Sequence, residues 1–356
     1  MRHSRTPLVS FVLSSLVLTA ACSDKSSSPT GPKPAAAPAS GASLLESALP
    51  TSCSGYPRAR LVNVSTAYQL STALTNARPG DLIQLADGVY KGHFTISRAG
   101  MASQRVVLCG TRAAVLDGGG VGSGAPVLQV KASYWTVDGV TIRNGLQGVV
   151  TNRVTGTVLR RLEVHTIGQA AVVFHIYSRR NVLERSYIHD TGKATKQYGE
   201  GVYVGTWHSQ WSYLTGGLPD RSDSNVVRKN VIGPYLGAEA VDIKDGVTGT
   251  VVDSNTFNGL GGSLSTPNLN SVVIVIGNNN TVEYNRLKNA LRWGFEVEQL
   301  LTGWGYRNVF RGNVLDMSGA YGPAIFVGTT TVRASTVVKC SNSAIGTRLS
   351  NLSCVQ

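Results

Sequence analysis

Charge is scarce in this chain: 15% of its 356 residues are charged, and methionine (3) and phenylalanine (7) are rarer still. So little charge excludes a disordered polyelectrolyte. Five cysteines spread over this length exclude a small disulfide scaffold. Outside the extreme N-terminus no apolar run approaches the roughly 18 residues needed to cross a bilayer, which excludes a multipass helical membrane protein. Lys/Arg-dense segments, helix-turn-helix and zinc-finger patterns are also missing, so nucleic acid is not the expected partner. Yet Lys+Arg outnumber Asp+Glu by 33 to 20, a net charge of +13, and such a surface attracts polyanions. An acidic polysaccharide is the polyanion expected. What the chain does have is a hydrophobic share of 42%, 40 glycines and abundant Val, Thr and Asn, a β-rich composition with many turns.

The first residues read as an export signal. Arg2, His3 and Arg5 precede the apolar stretch from Leu8 to Leu18, which runs into Thr19-Ala20-Ala21-Cys22; this is too short to span and has the small-residue end of a cleavage site. Cysteine directly after two alanines resembles a bacterial lipobox, in which residues 1–21 are removed and Cys22 is lipidated. The alternative is ordinary cleavage nearby with Cys22 left free. Residues 22–49 are too rich in Pro, Ser and Ala to fold and read as a tether. The expected location is the outer membrane or cell surface, with no membrane contact beyond the lipid. Cys53, Cys109, Cys340 and Cys354 remain, either as two disulfides, most economically Cys53 with Cys109 and Cys340 with Cys354, or as four buried thiols.

A repeat runs through residues 50–356. Thr136-Val-Asp-Gly-Val-Thr-Ile, Thr157-Val-Leu-Arg-Arg-Leu-Glu-Val, Asn181-Val-Leu-Glu-Arg-Ser-Tyr-Ile, Asn225-Val-Val-Arg-Lys-Asn-Val-Ile, Thr250-Val-Val-Asp-Ser-Asn-Thr-Phe, Asn280-Thr-Val-Glu-Tyr-Asn-Arg-Leu and Asn308-Val-Phe-Arg-Gly-Asn-Val-Leu are variants of one strand–bend–strand unit. Their starts lie 21, 24, 44, 25, 30 and 28 residues apart. Strands at this period without intervening helices predict an all-β, right-handed parallel β-helix, expected to be a monomer. Asn230, Asn255, Asn285 and Asn313 share one place in successive units, where their amides can form a ladder. The spacing of 44 residues exceeds one coil by about a further coil, so a loop of about residues 195–224 must project. Ala67-Tyr-Gln-Leu-Ser-Thr-Ala-Leu-Thr-Asn-Ala77 has helical periodicity and predicts a helix capping the open end.

Aligning the coils sets Glu200-Gly-Val-Tyr-Val-Gly205 over Glu239-Ala-Val-Asp-Ile-Lys244, with Ala170-Ala-Val-Val-Phe-His175 one coil earlier. A period of two turns Val202, Val204, Val241 and Ile243 inward and Tyr203, Asp242, Lys244 and His175 outward. Coils lie about 4.8 Å apart, so Glu200 and Glu239 become neighbours that repel unless a cation or proton separates them. Plainer readings stand beside these. Lys244 and Asp242 could form a solvated ion pair, Glu200 and Glu239 could cap turn amides, and His175 could be a turn histidine. Glu296 and Glu298 are either solubilising, substrate-binding or a hydrolase's carboxylate pair. The rings of the projecting loop, Trp207, His208, Trp211 and Tyr213, either offer flat faces to sugars or fold back as a satellite core.

The capping segment followed by Pro79-Gly80-Asp81-Leu-Ile-Gln-Leu-Ala-Asp-Gly88-Val-Tyr90, then Trp135-Thr-Val-Asp-Gly-Val-Thr-Ile, Glu239-Ala-Val-Asp-Ile-Lys244-Asp-Gly and Asn278-Asn-Asn-Thr-Val-Glu, resembles the β-helix polysaccharide lyases of the chondroitinase B and alginate lyase type. The likeness covers most of residues 60 to 290. In that family a strand-end lysine is the base and a glutamate five residues earlier binds calcium. The resemblance thus implies Lys244 as base and Glu239 as calcium ligand, with Glu200 alongside. The family's next coil bears an assisting arginine; here that stretch is Ser271-Val-Val-Ile-Val-Ile276-Gly, with none. His175 or Tyr203 would then protonate the leaving oxygen. The expectation is an exported lyase that cleaves a uronate-containing polysaccharide by β-elimination, with a cation and partial burial lowering the pKa of Lys244. A glycoside hydrolase using Glu296, Glu298 or Asp242 and a noncatalytic carbohydrate-binding surface protein are the rival expectations.

Overall fold

The computed structural model describes residues 53–122, 124–262 and 271–356; the export signal, Cys22 and the whole tether lie outside the described residues. The repeats wind into a right-handed parallel β-helix with three sheets. Sheet 1 starts at Arg60–Val64, sheet 2 at Gly88–Lys91 and sheet 3 at Phe94–Ile96, and the chain visits them in that order in each coil. Every strand pairs in parallel with the strand one coil away, as Val202↔Val241, Tyr203↔Asp242 and Val204↔Ile243 illustrate. Alternation along these strands sends Val202, Val204, Val241, Ile243, Val273, Val275, Phe295 and Val297 into one continuous core. The opposite parity forms a row along the outside of sheet 3: Val150, Val173, Tyr203, Asp242, Ile274, Glu296 and Phe326.

The expected asparagine ladder is present and longer than its four members. Ser186 N donates to Asn230 Oδ1, Asn230 to Asn255, Asn255 to Asn285, Asn285 to Asn313 and Asn313 to Asn342, each asparagine using both its backbone N–H and its amide. A second ladder joins Asn181 to Asn225 and Asn280 to Asn308 at the preceding corner. Just before the first ladder the backbone turns left-handed at Arg161, Arg185, Lys229, Ser254 and Tyr284, with φ between 53° and 56°. Such a φ is unfavourable for side-chain-bearing residues; the ladder bonds hold it in place.

Helix α1, Ala67–Thr75, starts where Thr66 accepts from Gln69 N and Gln69 reaches back to Ser65 N, a reciprocal cap. Its Leu70, Ala73 and Leu74 join the core. Cys53–Cys109 and Cys340–Cys354 are disulfides, as the economical pairing expects. Among the described residues no helix is long and apolar enough to cross a membrane. The excursion from the coils is narrower than expected. It occupies 206–224, because Val202–Val204 still belongs to sheet 3, and it contains the short helix Trp211–Leu214.

Asn285→Ala would strand the N–H of Asn255 and remove the side-chain bonds to one amide N–H of Asn255 and to the carbonyl of Val252 in the buried ladder, while Asn313 Oδ1 keeps its bond from the backbone N–H of residue 285. Each stranded buried group costs roughly 1–3 kcal/mol. A drop in stability of at least about 3 kcal/mol is expected in a denaturant titration, and a drop below about 1 kcal/mol would show that the ladder is dispensable.

Candidate active site

Sheet 3 positions the site. Backbone bonds continue its pairing past the strand ends, with Gly201 N donating to Glu239 O and Ala171 N to Glu200 O, so Glu200 and Glu239 stack on successive coils. Both are buried, and the carboxylate of Asp242 joins them: one oxygen from each of the three lies within 4.8 Å of the others. Strand parity alone had put Asp242 on the outer face apart from the two glutamates. Glu200 and Glu239 lie just before the strands Val202–Val204 and Val241–Ile243, outside that alternation, and their carboxylates converge on Asp242.

Lys244 closes the cluster. Its Nζ lies 2.5 Å from Asp242 Oδ2, with both side chains largely buried, so this is not the solvated ion pair of the plainer reading. The ammonium also sits 5.2 Å from the Tyr203 ring centroid and 4.8 Å from that of Trp207, cation–π distances. Three carboxylates and one ammonium leave an uncompensated negative charge in a site shielded from water. Burial, reinforced by Asp242, therefore pushes the Glu200 carboxyl up to about 8. Burial, with Asp242 and Glu200 beside it, holds Glu239 well above the usual carboxylate range. Burial also raises Asp242, against the pull of Lys244. For Lys244 itself burial acts downward, but Asp242, Glu200 and Glu239 outweigh it and the net shift is upward. The expected lowering of the lysine belongs to the site with a cation bound; without one, the carboxylates hold the lysine upward.

The donor set suits a hard cation: three carboxylates converge, and Asp242 Oδ1 is buried without any hydrogen-bond partner.

The remaining candidates divide. His175 ends its strand opposite Asn152 and points Nε2 into a buried position without a partner, and burial lowers its pKa to about 4. Burial, then the charges of Asp242 and Glu200, raise the Tyr203 hydroxyl well above its ordinary value. Trp207 covers Lys244, and its ring contacts His208 at 4.5 Å; His208 Nδ1 in turn bonds Asp245 Oδ2 at 2.9 Å. Trp211 is buried, donates Nε1–H to Thr206 O at 2.9 Å and meets Trp304 edge-on, so it supports the loop rather than offering a ring to a sugar. Tyr213 is 67% exposed. Glu296 is buried, not solubilising, and burial together with Glu298 pushes it up to about 9.

Two residues were not singled out from the sequence. Asp220, fully buried, accepts from Ile176 N and Tyr177 N at 2.7 Å and from the hydroxyls of Thr206 and Ser222, pinning the loop to the coil of His175. Asp245, also fully buried, anchors His208. The Lys244-Asp245-Gly246 sequence hinted at the second; nothing marked the first.

The fold and this geometry define the class, a parallel β-helix polysaccharide lyase. An alginate lyase from Paenibacillus sp. matches at 30% identity over 82% of this chain and 97% of its own, with a TM-score of 0.75. A pectate lyase, Pel9A, matches at 13% identity over 86% of this chain and 84% of its own (TM-score 0.58), and a lacto-N-biosidase from Eubacterium ramulus at 12% over 83% and 68% (TM-score 0.54). The latter two share the fold alone. No protein-family model and no curated protein sequence matches. By its likeness to the Paenibacillus enzyme, the chain belongs to the β-helix polysaccharide lyase family.

The raised carboxyls have a consequence for stability. A carboxyl that titrates at about 8 when folded, against 4.5 ordinarily, makes the folded state bind more protons across that interval. Stability is therefore full at low pH and is lost as pH rises through the folded value. With chelator present, Tm is expected to fall from about pH 5 to about pH 8, and Glu200→Gln to flatten much of that fall. A Tm that does not vary in this interval would count against an ionised, cation-free cluster.

Proposed function

We propose that this chain is an exported lyase that cleaves a uronate-containing polysaccharide by β-elimination, with alginate as the favoured polymer. The observation that carries the reading is Lys244, held under Trp207 and beside Tyr203 at the edge of a buried three-carboxylate cluster. The name of the relative with 30% identity supports the choice of polymer. The excess of basic residues supports attraction of a polyanion.

Glu200, Glu239 and Asp242 would hold calcium, a hard cation that prefers several oxygen ligands. When bound, it would cancel the charges that keep Lys244 protonated and withdraw charge from a substrate carboxylate. Lys244 Nζ, once neutral, takes the proton from the carbon beside that carboxylate. The freed electron pair forms the carbon–carbon double bond as the glycosidic carbon–oxygen bond breaks. Tyr203, whose hydroxyl stays protonated at neutral pH, gives its proton to the leaving oxygen; His175, with its unpartnered Nε2, is the second candidate for that transfer.

Export follows from the leader, with Cys22 lipidated and residues 22–49 serving as a tether. The two disulfides support an oxidising compartment.

The test incubates the protein with alginate, pectate, chondroitin, dermatan and glucuronan while ultraviolet absorbance and reducing ends are followed together. A lyase raises both. Reducing ends alone would instead favour a hydrolase built on Glu296 and Glu298, and neither signal would favour a binding protein. Lys244→Ala is expected to lower turnover by at least about a hundredfold; retention of most of the absorbance signal would remove Lys244 as the base. Chelation is expected to cut activity and stability, calcium at about a hundred times its Kd restoring about 3 kcal/mol. An unchanged melting curve with activity intact would show that the carboxylates hold no metal.

A further inference from the structure

Beyond the cluster, the same corner of the coils carries a second feature. After sheet 3 the backbone at Ile176 and Tyr177 is left-handed, with φ of 52° and 62°. For a β-branched residue this is a costly conformation, sustained only where surrounding contacts over-determine it, as at ligand clamps. Here Asp220 supplies those contacts, binding both N–H groups at 2.7 Å from a fully buried position. The hydroxyl of Tyr177 is fixed as well, donating to Thr215 O at 3.0 Å.

The ring so held is flanked by two guanidinium groups, Arg153 at 5.6 Å and Arg179 at 5.8 Å from its centroid. Both arginines are exposed. Arg153 donates to Leu214 O at 3.4 Å and Arg179 Nε to Arg221 O at 2.7 Å, and among the described residues neither has a carboxylate within ion-pair distance. Two like charges on one half-buried ring, neither paired with a carboxylate of the described residues, leave exposed N–H groups that an anion from outside the chain can engage.

Their place suits a polymer. Arg153 follows Asn152 and Tyr177 lies two residues beyond His175, and these strand ends are paired on adjacent coils. Lys244 follows Ile243, which lies two coils further along the same sheet through Val204. At about 4.8 Å per coil the arginines stand roughly 10–15 Å from Lys244 along the axis, within reach of a short oligosaccharide.

We propose that Arg153, Arg179 and Tyr177 form an accessory subsite for a carboxylate of a polyuronate, the arginines binding the anion and the ring fixing their separation. The proposal rests on the polyuronate reading above. Arg153→Gln with Arg179→Gln in the full-length protein is expected to raise KM for long alginate about tenfold, the loss of one charge-assisted contact. The same variant should leave kcat, Tm and the KM for an alginate trisaccharide unchanged. An equal change for both lengths, or a joint fall of kcat and Tm, overturns it. Binding is read separately in a Lys244→Ala background, as retardation of alginate in a native gel with dextran sulfate as the bulk-charge control. Retardation of alginate that the two substitutions abolish, when the protein with Lys244 intact never cleaves alginate, keeps the subsite and removes the lyase reading. Cleavage with retardation indifferent to the substitutions does the reverse. Equal loss for dextran sulfate shows only bulk charge and overturns the subsite.

Discussion

Parallel pairing in register is the constraint from which the rest of this molecule follows. Each side chain on a strand has its counterpart one coil away at about 4.8 Å, so whatever a coil repeats is stacked on itself. For asparagine the result is self-complementary, since an amide is donor and acceptor at once; Asn230, Asn255, Asn285 and Asn313 form an unbroken buried run. Valine stacked on valine builds the core. For carboxylates the same geometry is self-repelling, and Glu200 over Glu239 with Asp242 alongside is the ladder's unfavourable counterpart. One ammonium cannot neutralise three buried carboxylates. A chain that keeps such a stack gives up stability at that place, in the manner of a site whose occupant supplies the missing charge.

What could be read without coordinates follows from that repetition. Seven recurring units were enough to fix the architecture, the strand parity of Tyr203 and Asp242, and the stacking of the two glutamates, because each rests on a period. The cluster's third member was not legible. Asp242 lies three residues after Glu239, and a strict alternation separates them; Glu239 lies before the strand, outside that alternation. The upward shift of Lys244 in the cation-free site was not legible for a related reason, since its sign depends on how many carboxylates converge on it, a three-dimensional count. The economical cysteine pairing, held open beside four free thiols, is the one found, each bridge joining the two cysteines nearest in sequence.

The projecting loop marks the limit of reading by residue type. Four rings in its first eight residues suggested a sugar platform, yet the structure divides them: Trp211 is packed away, Tyr213 is open, and Trp207 with His208 leans on Lys244 and Asp245. The division is imposed by two buried carboxylates. Asp220 ties the loop to the coil before it and Asp245 ties it to the coil after it, so an excursion of 206–224 becomes a fixed wall beside the site. Aromatic content alone could not distinguish a ring that supports the wall from one that faces out of it.

The missing arginine sharpens the chemistry demanded of the groups that remain. Ile274 occupies the outer row next to Asp242, so this coil offers no guanidinium to steady a leaving oxygen. The row on the other side of Asp242 offers Tyr203. A phenol buried beside carboxylates resists ionisation, which would make it a useless base, but a proton donor needs only to be protonated when the bond breaks. A leaving sugar alkoxide is a strong base and would take that proton as the bond breaks, while burial beside Asp242 and Glu200 makes the proton harder to give than an ordinary phenol's. Lys244, seated over the same ring, is the nearby cation that would stabilise the phenolate left behind. In the proposed roles, base and acid would occupy adjacent coils, which in-register pairing of Val204 with Ile243 brings side by side.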